Sequence, residues 1–192
     1  IVMKKLFEVK DYFEKHNDVA KILDFAKIMS AANLIKQTVD HQGTIFTMGN
    51  GGSAHNASHF ITDWAKMSNT EKSIKLKGMC LNDNIGMITA YANDVNFEDI
   101  FSAQLKIYLQ KNDLVIVVSG SGNSQNIIKA LDYANNNNAN TLAILGYDGG
   151  KAIKIAQNHI LVPSFDMQIC EDIHLKIGHI IMKYLCDFKI ID

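Results

Sequence analysis

Two glycine-rich stretches of the chain have the residue types that bind anions, GNGGS at residues 49–53 and SGSGNS at residues 119–124. Glycine lets backbone N–H groups approach a ligand closely, and serine hydroxyls donate further hydrogen bonds. Each stretch follows a short apolar segment and precedes a helical pattern, and Ser124 stands where a helix N-cap belongs. Either stretch alone could be a tight turn, but the two together favour a phosphate site.

The first stretch also fits the dinucleotide-binding fingerprint G-x-G-x-x-G/A through Gly49, Gly51 and Ala54. That fingerprint needs an acidic residue about 20 positions further on, at the end of the second strand, to bind the ribose. Asn69 stands at that distance, and Asp83 is a late candidate. A nucleotide-dependent dehydrogenase is therefore the weaker interpretation of this stretch.

A group of histidines and carboxylates forms the second chemical feature. His55, His59 and Asp63 are spaced i, i+4 and i+8, so they lie on one face of a helix. A histidine and a carboxylate one turn apart can share a divalent metal or act as an acid–base pair. The more common alternative for any single histidine is a structural or exposed role.

A further set of such residues, Glu171, His174 and His179, stands near the end of the chain. Glu171 and His179 are separated by about 12 Å along a continuous helix, so one metal does not readily bind both from a single straight helix. Either Glu171 serves a different site or subunit, or the helix begins after it. The polar pair Asn93 and Asp94 is predicted to end another helix and return to the crevice, with a simple turn as the alternative.

The elements that must position these residues are read from the hydrophobic pattern. Short apolar segments predict buried parallel strands at residues 44–48, 75–81, 113–118, 140–145 and 159–162. Helical patterns lie between them near 53–67, 84–91, 97–110, 124–136 and 150–157, after two amino-terminal helices at about 4–15 and 21–41. Alternating strands and helices predict an α/β fold, a doubly wound parallel sheet of five strands with helices on both faces.

The chain is predicted to close with a long helix over residues 168–188. This helix has apolar residues nearly all round, at Ile169, Ile173, Ile177, Ile180, Ile181, Tyr184 and Leu185. We expect one small domain to leave part of such a surface uncovered, so the helix is predicted to pack against another subunit.

Composition sets the class of protein. The 192 residues are 47% apolar with a net charge of −1, which predicts one globular domain, with a helical segment at about 1–42 and an α/β core at about 43–192. The charge balance gives no field that would attract nucleic acid or an anionic membrane. The apolar runs are too short to span a bilayer, and charges interrupt the amino-terminal pattern where a signal peptide would be apolar. Three scattered cysteines without CxxC spacing suit a reducing compartment, so we expect a cytoplasmic protein.

Beyond single motifs, the stretches GNGGSAHNASHF, ANDVNFEDIFSAQL, VSGSGNSQNIIKAL, GYDGGK and EDIHLKIGH resemble, in order and spacing, the bacterial phosphoheptose isomerases of the sugar isomerase (SIS) superfamily. The resemblance runs from about Lys21 to the carboxyl end. It implies one SIS domain, assembled as a homotetramer with active sites between subunits. It also implies the interconversion of sedoheptulose 7-phosphate and glycero-manno-heptose 7-phosphate, the first step toward activated heptoses for lipopolysaccharide or capsule.

The resemblance also assigns residues. Substrate contacts are implied at Asn50, Gly51, Gly52, Ser53, Asp63, Asn93, Asp94, Ser119, Gly120, Ser121, Ser124 and Glu171. It implies a zinc ion held by His59, Asp63, Glu171 and His179, with Asp63 and His179, from neighbouring subunits, as the catalytic acid–base pair.

Three positions depart from the family pattern. Gly120 stands where the family often has threonine, Asp63 where it usually has glutamate, and Glu171 where it usually has glutamine. The last two changes keep oxygen donors, so a metal remains compatible, but the carboxylate at position 63 is retracted by one methylene. The alternative function is that of a non-catalytic SIS protein, which binds phosphosugars or the replication initiator. Retention of Asp63 and both histidines favours the enzyme.

Overall fold

The protein is described here by a computed structural model that covers residues 8–72 and 74–187. Its centre is a parallel sheet in the order β2-β1-β3-β4-β5, which confirms the predicted five-stranded α/β fold. The strands are β1 (Thr44–Gly49), β2 (Lys77–Cys80), β3 (Leu114–Ser119), β4 (Asn140–Leu145) and β5 (Asn158–Leu161).

Two hydrophobic cores lie on opposite faces of the sheet because successive side chains of a strand point to opposite sides. Along β3, Leu114 and Ile116 enter one core, whereas Val115 and Val117 enter the other. The strand is completely buried, as expected for a parallel strand covered on both faces.

The helices form the two outer layers. One layer contains α2 (Phe25–Asp40), α3 (Gly52–Lys72) and α8 (Met167–Leu185), with α1 (Val9–Lys21) beside it. The other contains α4 (Ile85–Asp94), α5 (Ser102–Tyr108), α6 (Gln125–Asn136) and α7 (Ala152–Ile155). Across residues 8–72 and 74–187, none of the helices combines the length and apolar character needed to cross a bilayer.

The amino-terminal helices begin later than the hydrophobic pattern predicted. The helix predicted at about 4–15 starts outside the described residues, and α1 continues to Lys21. The next helix begins at Phe25 because the Asp24 side chain caps it, accepting a hydrogen bond from the Lys27 backbone N–H at 3.1 Å.

Two predicted helices are shorter in the structure. The helix predicted over 97–110 is a 3₁₀ turn at Phe97–Asp99 followed by α5. The turn is held by the Asp99 carboxylate, which accepts hydrogen bonds from Asn96 Nδ2 at 2.6 Å and Lys129 Nζ at 3.1 Å. The helix predicted over 150–157 is reduced to α7, since the chain enters the edge strand β5 soon afterwards.

The last helix, α8, is largely covered by the chain itself. Its side chains at Ile169, Ile173, Ile177 and Ile181 are buried in the core shared with α2 and α3, whereas Ile180 is 40% exposed. The prediction that its apolar surface needs another subunit is therefore wrong for most of the helix, because α2, α3 and the sheet cover that surface.

Candidate active site at the carboxyl edge of the sheet

A crevice opens where the chain changes from one face of the sheet to the other. From β1 the chain continues into α3 on one face, and from the neighbouring strand β3 into α6 on the other. The two connecting loops therefore diverge, which is where doubly wound sheets bind ligands. A cavity of about 290 Å³, which we call the cradle, is lined here by Asn50, Gly51, Gly52, Ser53, Ser119, Gly120, Ser121, Ser124, Met167 and Glu171. The structure thus brings together every residue of these two loops that was predicted to contact substrate.

A pair of asparagines joins the two loops of the cradle. Asn50 Nδ2 donates to Asn126 Oδ1 at 3.0 Å, and Asn126 Nδ2 donates to Asn50 Oδ1 at 2.9 Å. Asn126 is buried at the start of α6, and sequence reasoning missed it. The available signal was Asn126 itself, a polar residue on the face of α6 where the hydrophobic pattern predicts apolar side chains.

A second asparagine that sequence reasoning missed fixes the end of β1. Asn82 Oδ1 accepts a hydrogen bond from the Gly49 N–H at 3.1 Å, and Asn82 Nδ2 donates to the Gly49 carbonyl at 2.9 Å. Beyond it, Gly51 adopts a left-handed conformation with φ +58°. These contacts hold the first loop in the shape that starts α3 at Gly52.

The serines of the second loop differ in what their hydroxyls do. Ser119 Oγ accepts from the Gly122 N–H at 3.1 Å, and Ser121 Oγ accepts from the Asn123 N–H at 3.3 Å. Ser124 is the N-cap residue of α6, as predicted, but its side chain makes no capping hydrogen bond. Within the described residues its hydroxyl therefore remains available to a ligand.

Close packing fixes the backbone of the second loop. Gly122 is left-handed, with φ +62°, and a Cβ at this position would collide with the carbonyl of Gly149. At Gly120, where the family often has threonine, a Cβ would press on the thioether of Met167. The Met167 side chain thus takes the space that a larger residue at position 120 would need.

A close approach of α3 and α8 builds the second part of the site. Gly178 on α8 lies against the ring of Phe60, where a Cβ would collide. The indole N–H of Trp64 donates to the Gly178 carbonyl at 2.9 Å. This packing sets His179 opposite His59.

His59, Asp63 and His179, which we call the triad, form a compact group of ligand atoms. The two histidine Nε2 atoms are 3.0 Å apart, and Asp63 Oδ2 lies 3.3 Å from His59 Nε2 and 3.5 Å from His179 Nε2. Ligand atoms about 2.0 Å from a tetrahedral zinc ion are separated by about 3.3 Å, so the triad fits such an ion. The side chains are 25–44% exposed, which leaves one side open to substrate.

Two predictions about this group need correction. Asp63 and His179 were expected from neighbouring subunits, but one chain brings them together because α3 and α8 pack in contact. Glu171 was predicted to share the metal, but it is absent from the group of potential ligands and lies in the cradle instead. The helix is continuous from Met167, so the separation of about 12 Å between Glu171 and His179 stands.

Some candidate residues lie away from the cradle of this chain. Asn93 and Asp94 end α4 as predicted, but they are exposed, and Asn93 Nδ2 donates to Asp94 Oδ1 at 2.7 Å. Asp83, the candidate ribose ligand of a dehydrogenase, accepts a hydrogen bond from Ser58 Oγ at 2.9 Å and does not line the cradle.

Two further histidines singled out in the sequence, His55 and His174, have contrasting surroundings. His55 is exposed, with Nδ1 3.0 Å from the Gly51 carbonyl. His174 is completely buried, and neither ring nitrogen has a hydrogen-bond partner among the described residues. Burial lowers the pKa of His174 to about 4, against a smaller opposing effect of the Leu145 carbonyl. His174 is therefore a neutral core residue at pH 7.

With this geometry in hand, comparison with known proteins identifies the family. The SIS domain family matches this chain over residues 11–146, which is most of its length. The chain therefore belongs to the SIS domain family, as its motifs and its doubly wound sheet predicted.

Individual relatives narrow the class. The chain is 36% identical over 160 residues to a phosphoheptose isomerase of Helicobacter pylori, covering 83% of this chain and 81% of the relative. It is 32% identical over 185 residues to a probable phosphoheptose isomerase of Thermoplasma volcanium, covering 96% and 94%. A solved phosphoheptose isomerase from Neisseria gonorrhoeae superimposes with a TM-score of 0.84 at 28% identity, covering 92% of this chain and 96% of that chain. Within the SIS family the chain thus groups with the phosphoheptose isomerases, and it is an enzyme.

Proposed function

We propose that the protein interconverts sedoheptulose 7-phosphate and D-glycero-D-manno-heptose 7-phosphate, the first step toward activated heptoses for lipopolysaccharide or capsule. The observation that carries this proposal is that α3 and α8, which hold the triad, also contribute residues to the cradle. Glu171 in the cradle and His179 in the triad are separated by about 12 Å along α8. The names of the relatives support the same substrate.

The length of the substrate agrees with this separation. An extended chain advances about 1.2 Å per bond, so the eight bonds from phosphorus to C1 of a heptulose 7-phosphate span about 10 Å. The four bonds of a triose phosphate span only about 5 Å. A seven-carbon chain can therefore hold its phosphate in the cradle while C1 and C2 reach the triad.

The cradle would bind the phosphate without a lysine or an arginine. None of the residues that line it carries a positive charge, so the donors are backbone N–H groups, serine hydroxyls and the amino-terminal end of α3. This binding, remote from the reacting carbons, positions them for the chemical step.

The triad would perform the proton transfers. Aldose–ketose isomerisation removes a proton from C1 of the ketose, gives an enediol, and returns a proton to C2. In our proposal Asp63 takes and returns the carbon-bound proton, and His179 exchanges a proton with the O1 and O2 oxygens when its Nε2 is not bound to a metal. Both side chains are partly exposed and 3.5 Å apart, within reach of two adjacent carbons.

Zinc is the cofactor in this proposal, held by His59, Asp63 and His179 of one chain. When bound, a divalent ion of this kind polarises carbonyl and hydroxyl oxygens. The support is the spacing of the ligand atoms, which matches a tetrahedral ion with one position left for substrate.

A homotetramer in a reducing, cytoplasmic setting completes the proposal. Apolar side chains of and near α4 are strongly exposed, among them Ile85 at 70% and Phe97 at 56%, as expected of a subunit contact. Asn93 and Asp94, on the same helix, would then reach the site of a neighbouring subunit. All three cysteines are buried free thiols, which supports a reducing compartment.

The test is to incubate the purified protein with sedoheptulose 7-phosphate in D₂O and follow the products by NMR. We expect the aldose to form with deuterium at C2, because the enediol exchanges its proton with solvent. Added zinc should raise the rate, and a chelator should lower it. Tight binding of the sugar phosphate without turnover, with zinc and without, would refute the isomerase proposal.

A further inference from the structure

The carboxylate of Glu171 occupies an unexpected place for an acidic side chain, because it lies inside the cradle. Both carboxylate oxygens rest against Gly52, the first residue of α3, so closely that a Cβ at position 52 would collide with them. The same side chain lines the cavity together with Ser121 and Ser124. A phosphate bound to these serines would therefore lie near the carboxylate.

The backbone of Glu171 is fixed in this position. Its carbonyl accepts a hydrogen bond from Asn56 Nδ2 of α3 at 2.9 Å, and the adjacent Cys170 is completely buried. The side chain can change rotamer, but because its backbone is fixed the carboxylate remains close to the cradle.

The charge of Glu171 has no counterpart among the residues that line the cradle. Glu171 is the only ionisable residue that lines the cradle, and it forms no ion pair among the described residues. Two like charges in a partly buried site repel each other more strongly than in bulk water. The carboxylate also offers acceptor oxygens, which suit the hydroxyls of a sugar.

We infer that Glu171 is a specificity-determining residue that selects phosphate esters of polyols over free phosphate. Its carboxylate repels any phosphate in the cradle and so weakens binding. For a sugar phosphate, hydrogen bonds that the sugar hydroxyls donate to the carboxylate offset this unfavourable binding free energy. Inorganic phosphate at pH 8 is mainly HPO₄²⁻, which has a single hydroxyl to donate to the carboxylate, whereas the sugar ester offers several. This inference rests on the proposed function only in placing the phosphate in the cradle.

The experiment compares wild type with Glu171→Gln, which keeps the size of the side chain and removes its charge. Inorganic phosphate is the probe, titrated by calorimetry at pH 8 with a chelator present so that no metal bridges the two anions. We expect Glu171→Gln to bind phosphate about tenfold more tightly than wild type. The affinity for sedoheptulose 7-phosphate should increase much less, so the ratio of sugar phosphate affinity to phosphate affinity should fall in the variant.

Two further variants serve as controls. Asp132→Asn makes the same change in net charge on the exposed surface of α6, about 12 Å along the helix from Ser124, and should leave phosphate binding unchanged. Glu171→Asp retracts the carboxylate by one methylene and should give an intermediate affinity for phosphate.

The outcomes separate this inference from the proposed function. Phosphate binding in Glu171→Gln that equals or falls below that of wild type would overturn the inference, whatever the activity. If Glu171→Gln binds phosphate more tightly but the wild-type enzyme does not convert sedoheptulose 7-phosphate, the role of Glu171 is supported and the proposed substrate is refuted.

Discussion

The cradle and the triad both draw residues from α3 and α8 but are built in different ways. The cradle is formed mainly by backbone, in two loops that the Asn50–Asn126 pair joins. The triad is formed by three side chains that the packing of Gly178 against Phe60 brings together. Side-chain changes should therefore disable the triad more completely than the cradle, where each hydroxyl is one donor among several.

The largest effect should come from removing the carboxylate of the triad. We expect Asp63→Asn to lower kcat by about 10²–10⁴-fold, because the base is lost, while phosphate affinity stays that of wild type. Steady-state kinetics and phosphate titration check the two parts. Asp63→Glu keeps the charge and should retain measurable turnover. Activity of Asp63→Asn within tenfold of wild type would remove Asp63 from the mechanism.

The next effect is on stability and comes from His174 on α8, the helix that contributes residues to both the cradle and the triad. The pKa of His174 is about 4 in the folded protein and about 6.5 in the unfolded chain, so the unfolded state binds more protons between these values. Stability is then complete above pH 6.5 and falls by about 3 kcal/mol as the pH drops to 4.

Urea unfolding between pH 7 and pH 4 measures this loss. His174→Leu removes the titrating ring and should flatten the pH dependence over that range. A pH profile unchanged by His174→Leu would assign the acid sensitivity to another group.

A smaller effect is expected from a change in the asparagine pair that joins the two loops, and it should alter substrate binding more than the chemical step. Asn126→Ala removes both hydrogen bonds to Asn50 and leaves a half-buried amide unpaired, at a cost of about 1–3 kcal/mol. We expect KM for the sugar phosphate to rise about tenfold with kcat nearly unchanged. A fall in kcat at constant KM would show that the asparagine pair serves the triad and not the cradle.

The smallest effect is expected at Ser124, whose hydroxyl makes no hydrogen bond within the described residues. Ser124→Ala should change unfolding free energy by less than about 0.5 kcal/mol but weaken phosphate binding about three- to tenfold. Ser119→Ala is the matched comparison, since Ser119 Oγ also accepts from Gly122 and its loss should affect stability as well. Equal losses of stability in both variants would contradict this distinction.

Much of the fold could be predicted because local patterns decide it. Residues 114–118 are five consecutive apolar residues, four of them β-branched, and this pattern predicts a strand covered on both faces. The 3₁₀ turn at Phe97–Asp99 could not be predicted in this way. Its Asp99 carboxylate accepts a hydrogen bond from Lys129, thirty positions away in the chain.

The candidate site divides along the same line. The glycine- and serine-rich loops could be found from sequence because residues adjacent in the chain supply most of the donors. Asn126 and Asn82 could not, because an asparagine in a helix or after a strand signals nothing until its partner across the crevice is known. The metal role of Glu171 came from the family resemblance, whereas the spacing of about 12 Å from His179 along a continuous helix already favoured a different site for Glu171.

By itself, the sequence determined the doubly wound sheet, the two glycine- and serine-rich loops after its strands and the spacing of His59 and Asp63, since each depends on residues close together in the chain. Only the tertiary structure decided that His179 of the same chain completes the triad and that Glu171 belongs to the cradle. The physical reason is the contact of α3 with α8. Its register follows from the fit of Phe60 and Trp64 against Gly178, more than a hundred residues apart in the chain.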